Sequence, residues 1–157
     1  MHTWKAFSEA MPDLASKGES LLFQHGVGLA FLATIRGDGA PRLHPVCPVI
    51  SDSRLFLVVL PHSPKRWDLL RDGRYALQTF PEPKPDSDEF YLSGKARLVT
   101  DPAVASAILR DAKHPASSDE IPFELFVERA MHTNWEGFGT PNYRPVHRSW
   151  NAPISPP

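Results

Sequence analysis

From Leu29 to Arg36 the chain reads LAFLATIR and then breaks at Gly37-Asp38-Gly39. Leu29, Phe31, Ala33 and Ile35 alternate with Ala30, Leu32, Thr34 and Arg36, a period of two that fits a strand and not a helix. The glycine-flanked aspartate is a hairpin turn, so the next strand, about Arg42 to Ile50, runs back beside the first. Pro45 and Pro48 interrupt it. Each removes a ladder donor, which marks an edge, a bulge or a place where something other than a strand lies alongside.

The same punctuation continues. Ser51-Asp52-Ser53 turns the chain into an almost unbroken apolar run, Arg54 to Leu60, as expected of a strand covered on both faces. Further strands are expected over Tyr75 to Phe80, Phe90 to Thr100 and residues 122 to 131, with a bulge or close backbone approach at Gly94. In the last of these Phe123, Leu125 and Val127 alternate with Glu124, Phe126 and Glu128. The loop over residues 81 to 89 is too polar and proline-rich to pack. Helical spacing is confined to short pieces. Trp4, Phe7, Met11 and Leu14 form two short helices split at Pro12, the second running towards Phe23. A helix follows Ser63 and closes at Gly73, and another opens at Asp101-Pro102 with Val104, Ala105, Ile108 and Ala112 on one face.

Six short strands with one helix after the third and one after the fifth do not alternate as βαβ units. The economical architecture is mainly β: a closed or nearly closed antiparallel barrel with small helices attached, since closure removes exposed edges. A chain of 157 residues is one domain, 1–157, its barrel core about 27–135 and its loose tail about 151–157. Its 17 prolines, about twice the usual share, suit sharp corners between short strands.

Seventeen Lys and Arg against 18 Asp and Glu leave a formal charge of -1, so no global field draws the chain to nucleic acid or to an anionic membrane. Anion binding must be local. The single cysteine, Cys47, excludes an internal disulfide and fits a reducing compartment; with no apolar stretch near the roughly 18 residues of a membrane span, the expectation is a soluble cytoplasmic protein. The seven histidines show no HExxH and no close acidic partner at ligand spacing, so no metal site is expected. No GxSxG, P-loop or GxGxxG is present.

One charge pattern runs against expectation. The helix over 63–71 begins Ser63-Pro64-Lys65-Arg66, two cations at the positive end of a helix, where Asp or Glu is favoured. On the residues alone two readings stay open. Either an anion sits there, held by free backbone N–H groups, Ser63, Lys65 and Arg66, or both side chains point into water and pair with Asp68 or other neighbours. Arg42 and His44 share one face of the second strand; they reach the same anion or mark an exposed face. His62 touches the anion or is a loop polar group. Trp135 and Trp150 stack on a ligand or a neighbouring subunit, or anchor packing.

In order, FLATIRGDGAPRLHPV, an apolar strand, HSPKRWDLLRDGRYAL and YLSGKARLVTD, with a weaker continuation through FELFVERAM to HRSW, resemble the pyridoxamine 5'-phosphate oxidase-like family of flavin-binding split barrels. The resemblance covers about Val27 to Thr100 most closely. It implies a six-stranded split barrel and a homodimer with flavin mononucleotide (FMN) at the subunit interface. Arg42, Ser63 and Lys65 would hold the phosphate, with Arg66 and His62 nearby. His44, Pro45 and Val46 would lie along the flavin ring, with Val58 and Val59 behind it. Gln78 and Thr79 would reach the cofactor, and Trp150 would close the pocket from the partner subunit. VHRSW, residues 146 to 150, only partly echoes the oxidase's substrate motif, so the vitamin B6 substrate is not carried over. The implied function is a flavin-dependent oxidoreductase moving a hydride to or from a small organic substrate. The alternatives are a deazaflavin-dependent reductase of the same fold, or a protein that binds flavin or haem without turnover.

Overall fold

The structure is a computed structural model and describes residues 1–153. Its elements are α1 (Trp4–Ala10), α2 (Pro12–Leu22), β1 (Ala30–Ile35), β2 (Pro41–Val46), β3 (Pro48–Ser51), β4 (Arg54–Val59), α3 (Pro64–Arg71), β5 (Arg74–Thr79), β6 (Glu89–Leu98), α4 (Pro102–Asp111), β7 (Ile121–Glu136) and β8 (Arg144–Asn151). The strands form one antiparallel sheet in the order β2-β1-β5-β6-β7-β4-β3, with β8 also paired to β7. The mainly β, split-barrel architecture expected from the sequence is present.

Two details differ from the six expected strands. The expected second strand is two, β2 and β3, broken at Cys47; they are the opposite ends of the sheet path and are joined by that one residue. The curled sheet is therefore closed by the chain and not by a ladder. The other addition is β8, which follows the last of the six expected strands. It continues through Asn151, and Ala152 N–H donates to Glu128 O at 2.8 Å, so the expected tail is anchored at its start. Residues 154–157 of that tail lie outside the described residues.

Local chemistry explains the element ends. Thr3 Oγ1 accepts Ala6 N–H at 3.2 Å to start α1, and Pro12 takes the first position of α2, forcing the break at Met11. Asp101 caps α4 by accepting the N–H groups of Ala103 and Val104 at 2.8 and 3.3 Å. Gly73, at φ +76°, follows α3 in the left-handed conformation a helix stop favours. Gly94 sits where the β6–β7 register shifts; a Cβ there would stand 2.0 Å from Phe126 O, so only glycine lets the two backbones approach.

The main core lies inside the curl. Fully buried Phe7, Leu14 and Leu22 from the first two helices meet Leu32, Leu55, Leu57, Leu77, Leu92 and Leu125 from the strands. Each such side chain contributes roughly 1.5–3 kcal/mol by leaving water. A smaller cluster, Val49, Phe56 and Ile108, seats α4 on the outside of β3 and β4. Neither helix layer covers the outer face of β2 and β1, where Leu43 is 65% exposed. No helix among the described residues is long and apolar enough to cross a membrane.

Candidate functional site

Strand pairing decides which side chains of β2 meet. Arg42 lies opposite Thr34, His44 opposite Leu32 and Val46 opposite Ala30, so all three share the inner face with buried residues of β1. Leu43 and Pro45 point outward and are exposed.

At the open end of this face stands α3. The chain leaves β4, turns with Ser63 N–H donating to Leu60 O at 3.0 Å, and enters the helix at Pro64. Ser63 has the extended backbone of an N-cap, but its hydroxyl caps nothing. The two cations behave differently. Arg66 folds back, one terminal nitrogen donating to Pro61 O at 2.8 Å and its guanidinium lying 4.5 Å from the Trp67 ring centre. Its Nε is buried without a partner. Lys65 is half-buried and makes no ion pair among the described residues; burial lowers its pKa, opposed by the charge of Glu120.

Asp68, one turn on, was offered by the sequence as a partner for these cations, and the structure corrects that. Its buried carboxylate accepts Thr34 Oγ1 at 2.9 Å and Arg42 Nε at 2.7 Å, with Arg71 at 3.5 Å. Burial opposes the charge, but the bonds from Arg42 and Thr34 and the charges of Arg42 and Arg71 outweigh it and hold the carboxyl below its ordinary range. Asp68 thus fixes Arg42 by Nε alone. The sequence reading missed Thr34 and the buried role of Asp68, because neither belongs to a motif; the available signal was a carboxylate within one turn of the helix end, next to buried Leu69.

His44 completes the group. Its Nε2 is buried with no hydrogen-bond partner. Burial lowers its pKa first, then the charges of Lys65 and Arg42, with Asp68 opposing. The charges of Arg42 and Lys65 therefore both act on His44, with Ser63 and Arg66 adjacent to Lys65 in the same turn. Three side-chain polar atoms among the described residues are buried without partners: His44 Nε2, Arg66 Nε on the side chain folded back to Pro61, and His132 Nε2. Buried donors in this state normally have an acceptor.

Other expected residues lie elsewhere. Val46 and Val59 are in the main core, while Val58 faces the opposite way, under α4 with the Val49 cluster. Pro45 is on the other face of β2 from His44, and His62 is exposed at the loop before α3. Gln78 and Thr79 are consecutive and point to opposite faces. Gln78 is half-buried on the outer face, its amide 3.4 Å from Glu89 Oε2; Thr79 is fully buried and its hydroxyl accepts Phe90 N–H at 3.0 Å. Its hydroxyl is thus committed to joining β5 to β6. Trp150 packs within its own chain against Phe7 and His2, ring centres 5.1 and 5.8 Å apart, and so anchors α1. Trp135 stacks on Tyr143 at 5.1 Å in the hairpin between β7 and β8.

No protein-family model matches the chain, and no curated protein matches it in sequence. Solved structures do match. The fold is the split barrel of pyridoxamine 5'-phosphate oxidase-like proteins. A Listeria innocua protein provisionally named a pyridoxamine 5'-phosphate oxidase superposes with a TM-score of 0.57 at 19% identity over 73% of this chain and 94% of that one. PhzG from Burkholderia lata 383, solved with tetrahydrophenazine-1-carboxylic acid, gives 0.57 at 13% identity over 87% and 91%. A haem-binding protein from Mycobacterium smegmatis gives 0.62 at 20% identity over 85% of this chain but 57% of that one. Likeness at these identities establishes the fold.

Proposed function

We propose that the protein binds the phosphate of a flavin coenzyme, FMN in the first instance, at the Arg42–His44–Lys65 cluster and serves as an oxidoreductase for a small organic substrate. The observation that carries this reading is the buried, partnerless Nε2 of His44 under the charges of Arg42 and of the unpaired, half-buried Lys65 ammonium. A phosphate supplies acceptors for all three at once, and reverses the repulsion between Lys65 and the positive helix end.

Bound flavin contributes reversible hydride transfer, which no side chain supplies. The protein's part is positional. Asp68 and Thr34 clamp Arg42 through Nε so that its terminal nitrogens keep one direction, and the Ser63 hydroxyl, which caps nothing, is left for the same anion, whereas the N–H groups of Ser63 and Arg66 are already spent on Leu60 O and Ser63 O. The deazaflavin alternative shares the phosphate end and differs at the ring. Thr79 and Trp150 are left out of the proposal. A homodimer with the coenzyme between subunits belongs to it, because the cluster lies at an open end of one chain and the outer face of β2 leaves Leu43 and Pro45 for a second copy to cover.

The test is a titration of coenzyme-free protein with FMN and with riboflavin, which lacks the phosphate. FMN is expected to bind about 100-fold tighter, since two charge-assisted bonds contribute roughly 1.5–3 kcal/mol each before losses. Equal affinity would remove the phosphate assignment. The visible spectrum of protein purified without added cofactor separates flavin from deazaflavin, and consumption of reduced nicotinamide with a set of acceptors separates an enzyme from a carrier. The haem reading draws on the Mycobacterium smegmatis structure. It predicts a Soret band on adding haemin to the coenzyme-free protein.

A further inference from the structure

Resting on that reading, we propose that anion capture at the mouth of α3 takes up a proton at His44: the imidazole is neutral in the free protein and becomes a cationic hydrogen-bond donor to the bound dianion. The sequence placed His44 along the flavin ring. The register puts it on the inner face with Arg42, and it is assigned here to the phosphate.

The argument is one of acceptors. Around His44 stand Arg42 on its own strand and Lys65 and Asp68 on α3; Leu32, its cross-strand partner, is apolar. Asp68 is the one carboxylate of the group, and its oxygens are already taken by Thr34, Arg42 and Arg71. A protonated His44 in the free protein would therefore be a third cation beside two others, with its buried Nε2–H facing no acceptor. That state is disfavoured twice over, by desolvation and by like charge. A dianion changes both conditions together. It gives Nε2–H an acceptor, and its charge outweighs the field of Lys65 and Arg42. Arrival of the anion therefore raises the proton affinity of His44, and by reciprocity protonation of His44 tightens the anion. The proton comes from solvent, and no bond to carbon or phosphorus is made or broken.

The probe is sulfate, which stays a dianion across the working range, so that any proton taken up belongs to the protein. The His44 ring resonances are followed by NMR against pH, with and without sulfate, and sulfate affinity is measured alongside. On lowering the pH from about 8.5 to about 5.5, sulfate is expected to bind roughly tenfold tighter, with the His44 titration moved up by about one unit when sulfate is bound. His44→Gln, which keeps a donor but cannot ionise, should flatten that pH dependence. If His44→Gln does not fold, the wild-type resonances alone decide. Sulfate binding with an unmoved His44 titration overturns this inference and leaves the phosphate site standing. A complete absence of sulfate-induced shifts at every pH removes the phosphate site and this inference with it.

Discussion

Replacing Asp68 by asparagine keeps the side-chain shape and removes the charge on which Arg42, Thr34 and Arg71 converge. Two of its contacts are short, 2.9 Å from Thr34 and 2.7 Å from Arg42; the Arg71 contact at 3.5 Å comes from a side chain 44% exposed and is discounted. Breaking a buried ion pair by deleting one partner costs about 3–5 kcal/mol. Arg42 retains 26% exposure, and water recovers part of its solvation, so the expected loss is about 3 kcal/mol. At roughly 2–4 °C per kcal/mol for a chain of this size, the melting temperature falls by about 6–12 °C. Thermal and urea unfolding measure it, and a double-mutant cycle with Thr34→Val should return a coupling near 1 kcal/mol. Folding holds the Asp68 carboxyl below its usual range, so its contribution is full above about pH 4 and fades as the pH falls through the lowered value. Asp68→Asn should lose that part of the acid sensitivity. A variant within about 0.5 kcal/mol of wild type, with an unchanged acid profile, would refute the clamp.

Lys65→Ala should weaken FMN binding by about 10–100-fold while changing the unfolding midpoint little, and full flavin occupancy in the purified variant would contradict the phosphate role. Gly94→Ala places a methyl 2.0 Å from Phe126 O and is expected to cost more than about 2 kcal/mol by forcing β6 and β7 apart, as read by urea unfolding. Trp150→Ala should destabilise the fold by about 2–4 kcal/mol through lost packing on Phe7 while leaving the FMN affinity of the folded protein unchanged. A specific loss of affinity there would instead support a role for Trp150 in closing the pocket.

Periodicity carried most of the architecture. Alternation along β1, the continuous apolar run of β4, the glycine in β6 and the proline between the first two helices each correspond to a local rule, and each is where it was expected. Strand β8 was not legible because Arg144 to Asn151 buries almost nothing of its own; its pairing with β7 comes from backbone bonds, which leave no hydrophobic pattern. At the candidate site the period of two placed Arg42 and His44 on one face correctly, and the misplaced charges of α3 singled out the turn on which the proposal rests. The same rule forbids Gln78 and Thr79, or Val58 and Val59, from serving one ligand through both side chains. Asp68 stayed hidden because a carboxylate inside a helix reads as solvated until the neighbouring strand shows what lies above it.

The junction at Cys47 has a consequence for how the molecule behaves in company. Both terminal strands of the sheet are rich in proline, with Pro41 and Pro45 in β2 and Pro48 opening β3. A foreign strand seeking to zip onto either border meets missing amide donors at those places, so the slit resists templated aggregation while staying accessible to a small guest.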